Sequence, residues 1–308
     1  MRTARNSRKA PIPVFVHDAG GGEVIGAYIK NVLRRRARVY GAGPALKIFK
    51  RIGVPITRIS PARASIKKIV ARHLDAPYAL IAAPGWMTKL EIHALEEAKA
   101  AGLKTVVYMD SWMDDRRRFG YPHPDWKKRL PKEFWAGDRY ALQNTRKEFK
   151  DIPARLVPNQ YFKNERARLR GIRSGKRSHE TILFASTIGE PSERLLKALL
   201  TSLDSCAAKV TLRIRFHPAD RTGRYDAILR RSRKLRVQKS READLVRDLA
   251  RAAIVVGSET AALALASYCG LTTVNFVPNK KRPMLPFKEI VNAETPADAA
   301  AFVAEFVS

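Results

Sequence analysis

The chain has 308 residues, enough for two domains that each bury a core. Hydrophobic residues make up 45% of it and glycine and proline are not in excess, which excludes a disordered or fibrous protein. The 59 lysines and arginines against 29 acidic residues give a net charge of +30. Such a field attracts nucleic acid, anionic lipid or acidic glycan without selecting among them, and it also fits an ordinary solvated surface.

Only two cysteines, Cys206 and Cys269, are present, and no histidine cluster lies near them. A disulfide framework and a structural zinc site are therefore not expected, which fits a reducing cytoplasm. No apolar segment with the character of a signal peptide follows Met1, and the longest apolar stretches, such as 261–266, are too short to cross a bilayer. We expect a cytoplasmic protein that at most contacts the inner membrane leaflet peripherally.

In the first half of the chain, short apolar runs alternate with segments of helical periodicity. The first run ends in Asp18 and a glycine-rich turn, and a capping box from Thr88 to Glu91 begins a later helix that ends at Gly102. The pattern predicts strands at 13–17, 78–82, 104–109, 139–142 and 155–157 and helices at 24–33 and 88–102.

A basic, glycine-containing stretch separates the two halves. Residues 163–178 hold seven lysines and arginines against one acidic residue, Glu165, and show little apolar periodicity. This composition predicts a linker. We therefore divide the chain into an N-terminal domain at 1–160, a basic linker at 161–179 and a C-terminal domain at 180–308, whose final helix could pack back on the N-terminal domain.

The alternation resumes after the linker. A strand at 181–185 precedes a leucine-rich helix that begins near Pro191, and residues 210–216 alternate between apolar and polar, which predicts a strand with one wetter face. The remaining pattern predicts a helix at 241–251, a strand at 253–256, a helix that ends at Gly270, a strand at 272–277 and a helix at 296–307.

Strands that alternate with helices predict parallel sheets. Two such halves predict an α/β protein of two doubly wound, Rossmann-like domains that face a central cleft. Ligands of such sheets bind outside the carboxyl ends of the strands, and the notable residues of this sequence follow strands in both halves. That coincidence is the main internal reason to expect a site at those strand ends.

Two segments of the C-terminal half have the chemistry of a phosphate site. The first joins a strand to a helix and consists of Gly257, Ser258, Glu259, Thr260 and Ala261. Helix amide groups and hydroxyls could hold a phosphate there, although serine also serves as an ordinary helix cap. The second is His217, which ends another strand and could stabilise a departing anion or simply be satisfied within a turn. Arg213 and Arg215 of that strand add positive potential.

The N-terminal half offers acidic residues at comparable positions. Asp18 lies at the first strand–helix junction and could take the proton of an acceptor hydroxyl, although aspartate is also common in turns and caps. The glycines that follow it allow a ligand to approach closely and are Gly20, Gly21 and Gly22. Asp110 follows a later strand and is the rival base.

Asp110 also begins an acidic cluster with Asp114 and Asp115. The cluster could hold a divalent metal or pair with the arginines at 116–118, and we predict no metal site. Several aromatic residues could stack on a sugar ring or belong to the core, and they are Trp86, Trp112, Tyr121, Trp126 and Trp135. We assign Trp86 to the acceptor site and Trp135 to the core.

The C-terminal half, with His217-Pro218 at a strand end and the later segment 257–262, resembles the GT-B glycosyltransferases of bacterial surface polysaccharide synthesis. It is similar in pattern to bacterial sialyltransferases, capsule Kdo-transferases and CDP-glycerol glycerophosphotransferases, and UDP-GlcNAc 2-epimerases share a similar serine-containing loop. In sialyltransferases the histidine and a serine–threonine pair hold the CMP phosphate. The resemblance therefore implies this role for His217, Ser258 and Thr260.

The resemblance also implies direct displacement at an anomeric carbon without a metal. The acidic-acidic-glycine base motif of sialyltransferases has no clear copy here, because Asp114-Asp115 is followed by Arg116. Asp18 is the preferred substitute as base, and His217 with the Ser258 loop would stabilise the departing nucleotide phosphate.

The resemblance implies a glycosyltransferase without a tightly bound cofactor, with an acceptor domain at 1–160 and a donor domain at 180–308. Its donor would be a CMP- or UDP-type nucleotide sugar, with a CMP-activated nonulosonic acid or Kdo as candidates, and its acceptor a glycan or protein that the basic surface suits when anionic. A nucleotide-sugar 2-epimerase is the alternative. A nucleic-acid-binding protein ranks lower, because no motif for groove or single-strand readout is present and the basic residues are spread over many segments.

Overall fold

The computed structural model describes residues 10–85, 87–112, 115–172, 181–187, 189–204, 210–217, 220, 223, 225–230, 235–242, 244–278 and 283–308. The chain divides into two compact units, Met1–Tyr161 and Phe162–Ser308. Each unit is built on one parallel β-sheet, so the predicted class of two Rossmann-like α/β domains is confirmed. No helix among these residues is long and apolar enough to span a membrane.

The sheet of the first unit has seven strands in the order β3-β2-β1-β4-β5-β6-β7, and every neighbouring pair is parallel. The strands are β1 Ile12–Val16, β2 Ala37–Gly41, β3 Thr57–Arg58, β4 Ala79–Ala82, β5 Thr105–Met109, β6 Glu133–Ala136 and β7 Ala154–Leu156. The helices are α1 Ala19–Tyr28, α2 Pro44–Ile52, α3 Arg63–Val70, α4 Leu90–Ala100, α5 Asp115–Arg118 and α6 Arg139–Glu148. A π-helical turn, Ile29–Leu33, and the 3₁₀ segments Arg34–Arg36 and Pro124–Arg129 complete the unit.

Apolar side chains on both faces of this sheet are buried. Phe15 and Ile81 belong to one core cluster, whereas Val14, Val16 and Leu80 belong to the other. Alternate residues of a strand point to opposite faces, so a strand covered by helices on both sides must be apolar throughout. This explains why the central strands read as continuous apolar runs.

The sheet of the second unit has six parallel strands in the order β10-β9-β8-β11-β12-β13. They are β8 Thr181–Ala185, β9 Thr211–Arg215, β10 Arg236–Lys239, β11 Ile254–Gly257, β12 Thr272–Phe276 and β13 Val291–Ala293. The helices are α7 Gln160–Ile172, which begins two residues before the unit, α8 Glu190–Asp204, α9 Asp226–Leu229, α10 Leu245–Arg251, α11 Ala261–Tyr268 and α12 Pro296–Val307. Leucines of α8 and small apolar residues of α12 cover one core cluster of this sheet.

Most predicted strands are confirmed to within one residue at either end, from β1 and β4 to β12. The final helix matches its predicted bounds, 296–307. The strands and α-helices without a prediction are β2, β3, β6, β10, β13, α2, α3, α5 and α9.

Two local predictions are wrong, and part of the predicted linker is helical. Residues 139–142 form the start of α6 rather than a strand, because the Asp138 side chain accepts from the Ala141 amide and caps a helix. The predicted linker is helical through residue 172 as part of α7, where Phe162 and Leu169 are buried seven residues apart; its remaining residues lie outside the described ones. The predicted glycine-rich turn at 20–22 is the first turn of α1.

Candidate active site

The two sheets each reverse their strand order at one point, between β1 and β4 in the first unit and between β8 and β11 in the second. At such a point the loops on either side run in opposite directions and leave a crevice outside the carboxyl ends of the strands. Asp18 is the second residue after β1, and Gly257 is the last residue of β11. Predicted site residues of both halves thus lie at the two reversal points.

Asp18 occupies the N-cap position of α1, but its side chain makes no capping hydrogen bond. Its Oδ1 instead lies 2.7 Å from Nδ1 of His17, and the side chain is 26% exposed. An ionised carboxylate can only accept, so Nδ1 carries the hydrogen of this pair. The ordinary capping role that the sequence allowed is therefore not the one that Asp18 has.

Two glycines fix the His17–Asp18 pair in place. A Cβ atom at Gly85, in the loop after β4, would overlap the Asp18 Oδ2 atom. A Cβ at Gly43 would overlap the His17 imidazole, and this glycine has a φ of +57°, which other residues rarely adopt. The pair is therefore enclosed by two backbone segments that approach it more closely than any side chain would permit.

Glu91 lies beneath this pair. It is fully buried at the start of α4, and its Oε1 accepts from the His17 amide at 2.6 Å. The other oxygen, Oε2, has no hydrogen-bond partner. Burial raises the pKa of Glu91 to about 8, with a smaller contribution from the nearby charge of Asp18, so this carboxyl is mostly protonated at neutral pH.

The predicted capping box is not formed, because the N-cap residue of α4 is Lys89 and makes no side-chain capping bond. The Thr88 hydroxyl accepts from the Leu90 amide at 3.3 Å, and Glu91 bonds to the His17 amide at the end of β1. A capping-box pattern and a buried carboxyl at a sheet edge look alike in sequence, because both place glutamate in the first helical turn.

Asp110, the rival base, lies near the same strand ends. Its Oδ2 would be 2.9 Å from a Cβ at Gly20, so the two residues that the sequence placed apart are brought together. The carboxylate is 10% exposed and its Oδ1 lies 3.0 Å from Nη1 of Arg118. Its charge is already compensated, whereas Asp18 is more exposed and its side chain bonds, among the described residues, to the His17 imidazole.

The rest of the acidic cluster is buried and internally bonded. Asp115 accepts from the Asn144 side chain at 2.9 Å and from the Ser111 hydroxyl at 3.4 Å, and burial raises its pKa to about 7. Trp112 is buried and donates to Asp138 at 2.8 Å, and Trp135 is in the core as predicted. Trp86 and Asp114 lie outside the described residues. Within the described part of the chain, no three His, Cys, Asp or Glu side chains are grouped as metal ligands.

In the second unit, the strand–helix junction after β11 presents backbone more than side chains. Ser258 is 1% exposed and its hydroxyl donates to the Phe276 carbonyl at 2.9 Å. Thr260 caps α11 by accepting from the Ala262 amide at 3.5 Å. The amide groups of Thr260 and Ala261 make no hydrogen bond within the described residues. Free amides at the positive end of a helix are suited to an anion.

Glu259 has a structural role at this junction. It adopts a φ of +51°. The side-chain oxygen of Asn275 in β12 accepts from the Glu259 amide at 2.8 Å, and the side-chain nitrogen of Asn275 donates to the Glu259 carboxylate at 2.6 Å. The other carboxylate oxygen accepts from the Met284 amide at 2.6 Å. These bonds hold the backbone in a conformation that non-glycine residues seldom adopt.

His217 follows β9, and its amide donates to the Ser186 hydroxyl at 2.8 Å. This bond joins the ends of β9 and β8, so His217 lies at the same edge of the sheet as Gly257. Pro218 lies outside the described residues.

Arg213 and Arg215 are turned toward a buried carboxylate. Asp248 of α10 is 0% exposed, and its two oxygens lie 3.7 Å from Nη1 of Arg213 and 2.8 Å from Nη1 of Arg215. The Ser240 hydroxyl donates to the same carboxylate at 2.6 Å. The wetter face predicted for β9 is thus occupied by an internal ion-pair network.

Sequence reasoning did not identify the roles of His17, Gly43 and Glu91. His17 stands beside Asp18 in sequence, and that adjacency was the available signal. Gly43 and Glu91 reach the pair only through the parallel alignment of β2 and β4 with β1, which is not visible in local sequence.

No protein-family model and no curated protein matches the chain by sequence. Solved structures of the same fold are found at low identity. HepE from Anabaena, solved in complex with UDP, is 12% identical with a TM-score of 0.65, over 96% of this chain and 89% of that one. The UDP-GlcNAc 2-epimerase of Methanocaldococcus jannaschii is 11% identical with a TM-score of 0.68, over 96% and 92%. MurG from Acinetobacter baumannii is 12% identical with a TM-score of 0.57, over 97% and 91%. The chain therefore has the fold of these two-domain, GT-B-type enzymes.

Proposed function

We propose that the protein is a nucleotide-sugar-dependent glycosyltransferase. The observation that carries the proposal is the partly exposed carboxylate of Asp18, which is oriented by the His17 imidazole at 2.7 Å and enclosed by Gly85 at the reversal point of the first sheet. A carboxylate held at a strand end and not used as a helix cap is suited to proton transfer.

In the proposed reaction, Asp18 takes the hydroxyl proton of the acceptor. The acceptor oxygen then forms a bond to the anomeric carbon, and the bond from that carbon to the nucleotide phosphate breaks, with the electron pair leaving on the phosphate oxygen. His17 keeps Asp18 oriented through the Nδ1–H donor. Asp110 contributes less, because Arg118 already compensates its charge.

The donor phosphate is proposed to bind at the start of α11. The free amide groups of Thr260 and Ala261, together with the positive end of the helix, would stabilise the charge of the departing nucleotide. The Ser258 hydroxyl supports this loop from inside by its bond to Phe276, and Glu259 holds the loop backbone through Asn275. His217 stays a proposed contact to the phosphate from the neighbouring strand end.

For the nucleotide, a uridine diphosphate sugar is favoured. HepE was solved with UDP and with UDP-glucose, and UDP-GlcNAc 2-epimerase from Neisseria meningitidis with UDP-GlcNAc. A CMP-activated sugar acid is the second choice. The acceptor is proposed to be a glycan or protein, anionic because of the +30 charge, and peripheral contact with a membrane leaflet stays a prediction.

A thermal-shift screen against CMP, CDP, UDP, GDP and their sugars tests the donor class. A ligand that binds only the folded state raises the melting temperature, by an amount that grows with its concentration. We expect UDP and a UDP-sugar to shift it and CMP to do so less. If no nucleotide shifts the melting temperature at millimolar concentration, the proposal is wrong.

A nucleotide-sugar 2-epimerase is the second candidate, because epimerase structures match this fold at TM-scores up to 0.68. Incubation of the protein with a UDP-sugar alone separates the two functions. An epimerase yields an isomer or a free glycal without any acceptor, whereas a transferase releases UDP in proportion to the glycan acceptor that is added.

A further inference from the structure

A second cavity lies at the opposite edge of the first sheet from Asp18. It has a volume of about 600 Å³ and is formed by the end of α4, the 3₁₀ segment Pro124–Arg129 and the loops that lead into β6 and β7. These loops precede their strands, whereas Asp18 and Asp110 follow theirs. In a parallel sheet the two sets of loops are on opposite edges, so the cavity is separate from the candidate active site.

The cavity has an excess of positive charge. Five basic side chains line it against two acidic ones, Glu148 and Asp151, which leaves three net positive charges by subtraction. The Glu148 carboxylate forms an ion pair with Nε of Arg116 at 2.7 Å. The unpaired lysines are Lys127, Lys132 and Lys150, none of which forms an ion pair with any described residue. Like charges brought together in this way favour an anion between them.

Lys99 places a positive charge at the wall of the cavity. Its Nζ donates to the carbonyl oxygens of Lys128 at 2.6 Å and Leu130 at 2.8 Å, which leaves one N–H of the ammonium group for another acceptor. Burial lowers the pKa of Lys99, and the nearby charge of Lys132 lowers it further. An anion that contacts both lysines would relieve this repulsion.

An aromatic ring lines the same cavity. Trp126 is half-buried and is held by Tyr121, edge-on at 5.7 Å between ring centroids, and by Phe149 at 6.3 Å. Its neighbours limit the rotation of the indole, so little conformational entropy is lost when a flat molecule stacks on it. A fixed ring beside unpaired ammonium groups suits a ligand that combines a ring with an anionic group.

We propose that this cavity binds an organic phosphate, with the phosphoryl group between Lys99 and Lys132 and the ring of the ligand against Trp126. The volume lies within the range of small-molecule sites, about 300 to 1,000 Å³, and is sufficient for a mononucleotide or a sugar phosphate. Both sources have the same recognisable chemistry. The proposal does not rest on the transferase function, because the site is at the other edge of the sheet.

Isothermal titration of the full-length protein with inorganic phosphate, UMP, glucose 6-phosphate and uridine tests the proposal. We expect UMP or glucose 6-phosphate to bind about tenfold more tightly than inorganic phosphate, since a stacked ring adds to the phosphate contact. Uridine, which lacks the phosphate, should not bind at this site. The tighter of the two phosphates identifies the source.

The double variant K132A/K150A locates the binding. Both side chains are exposed, so their removal should leave the fold intact, and we expect it to raise the dissociation constant of the tighter phosphate by at least about tenfold. The matched control is K68A, an exposed lysine of α3 that forms no ion pair within the described chain and does not line the cavity.

Three results would overturn the site. Binding that is unchanged in K132A/K150A but lost in A261P would place the phosphate at α11 alone. An equal loss in K68A would show attraction to the general charge of the protein. Binding of a single-stranded oligonucleotide that is lost in the double variant, with no binding of mononucleotides, would make the cavity part of a nucleic-acid surface.

Discussion

The two reversal points of this protein differ in what they present. At the first, a side chain is partly exposed and held in place: Asp18 is 26% exposed and is bonded to the buried His17. At the second, side chains turn inward, since Ser258 bonds to Phe276 and Glu259 to Asn275, and the groups left over are backbone amides. Under the proposed function, the Asp18 carboxylate would take a proton and the α11 amides would hold an anion, which are the two tasks in a transfer from a phosphate ester to a hydroxyl.

The largest expected effect is at the first reversal point. Asp18→Asn keeps the shape and the bond to His17 but removes the base, so kcat should fall by about 10² to 10⁴. Steady-state assay of nucleotide release measures it. Asp110→Asn is the matched control, with an expected loss of less than about tenfold, and a larger loss in the control than in Asp18→Asn would exchange the two roles.

Gly85→Ala perturbs the same site without replacing a polar side chain. The new methyl would occupy the position of Asp18 Oδ2, so the carboxylate must move, and a displacement of about 1 Å can cost about 10² in rate. Circular dichroism should show a folded protein. Gly171→Ala in α7, where a methyl meets nothing within 4 Å, serves as control and should retain full activity.

Glu91→Gln probes the buried carboxyl through pH. The pKa of Glu91 is raised to about 8 from 4.5, so the folded state binds a proton that the unfolded state releases, and stability falls as pH rises from about 4.5 to 8. Glutamine cannot ionise, yet it still accepts from the His17 amide. The unfolding free energy of the variant minus that of the parent should therefore increase from about pH 4.5 to 8 and reach about a few kcal/mol, the order of magnitude that such a pKa shift implies.

Denaturant unfolding of both proteins at pH 5, 7 and 9 measures this difference. A constant difference across the three pH values would mean that Glu91 ionises normally in the folded protein. Asp125 in the 3₁₀ segment, whose side chain is half exposed, offers the comparison, because Asp125→Asn should show no such growth above pH 5.

The second reversal point can be tested only through its backbone. Ala261 is the first residue of α11, where proline is well tolerated, and the preceding Thr260 has the extended conformation that proline requires. Ala261→Pro removes one amide donor and should weaken UDP binding by about tenfold with little change in stability. Ala261→Gly retains the amide and should bind UDP as the parent does. Equal affinity in both variants would remove α11 from the donor site.

Local patterns in the sequence predicted those strands and helices that can be recognised from their own residues alone. The apolar runs of β1, β4 and β11 were found because burial on both faces leaves a continuous signature, and the terminal helix because it buries one face, Ala299, Ala300 and Val303. Residues 37–70 were missed because their strands are short or partly exposed, as β3 is. Residues 139–142 were predicted as a strand because Tyr140 favours strands. The signal for a helix is the N-cap residue Asp138, which lies one residue before this stretch.

The candidate site was predictable in position but not in detail. Asp18 and Asp110 were identified because each follows a strand. The inward turn of Ser258 was not, because its partner Phe276 lies 18 residues later and meets it only through the pairing of β11 with β12. Parallel sheets bring together residues separated by whole helices, so the contacts that decide roles are nonlocal.

The network around Asp248 has a consequence for how this chain can vary. Arg213 and Arg215 share one fully buried carboxylate, and loss of one member of such a network leaves the others with a mostly buried charge that is no longer compensated. A viable relative that lacks the aspartate should therefore also have replaced both arginines, and one that keeps an arginine should keep an acid at the facing position of α10. Positions 213, 215 and 248 should therefore covary among sequences related to this one.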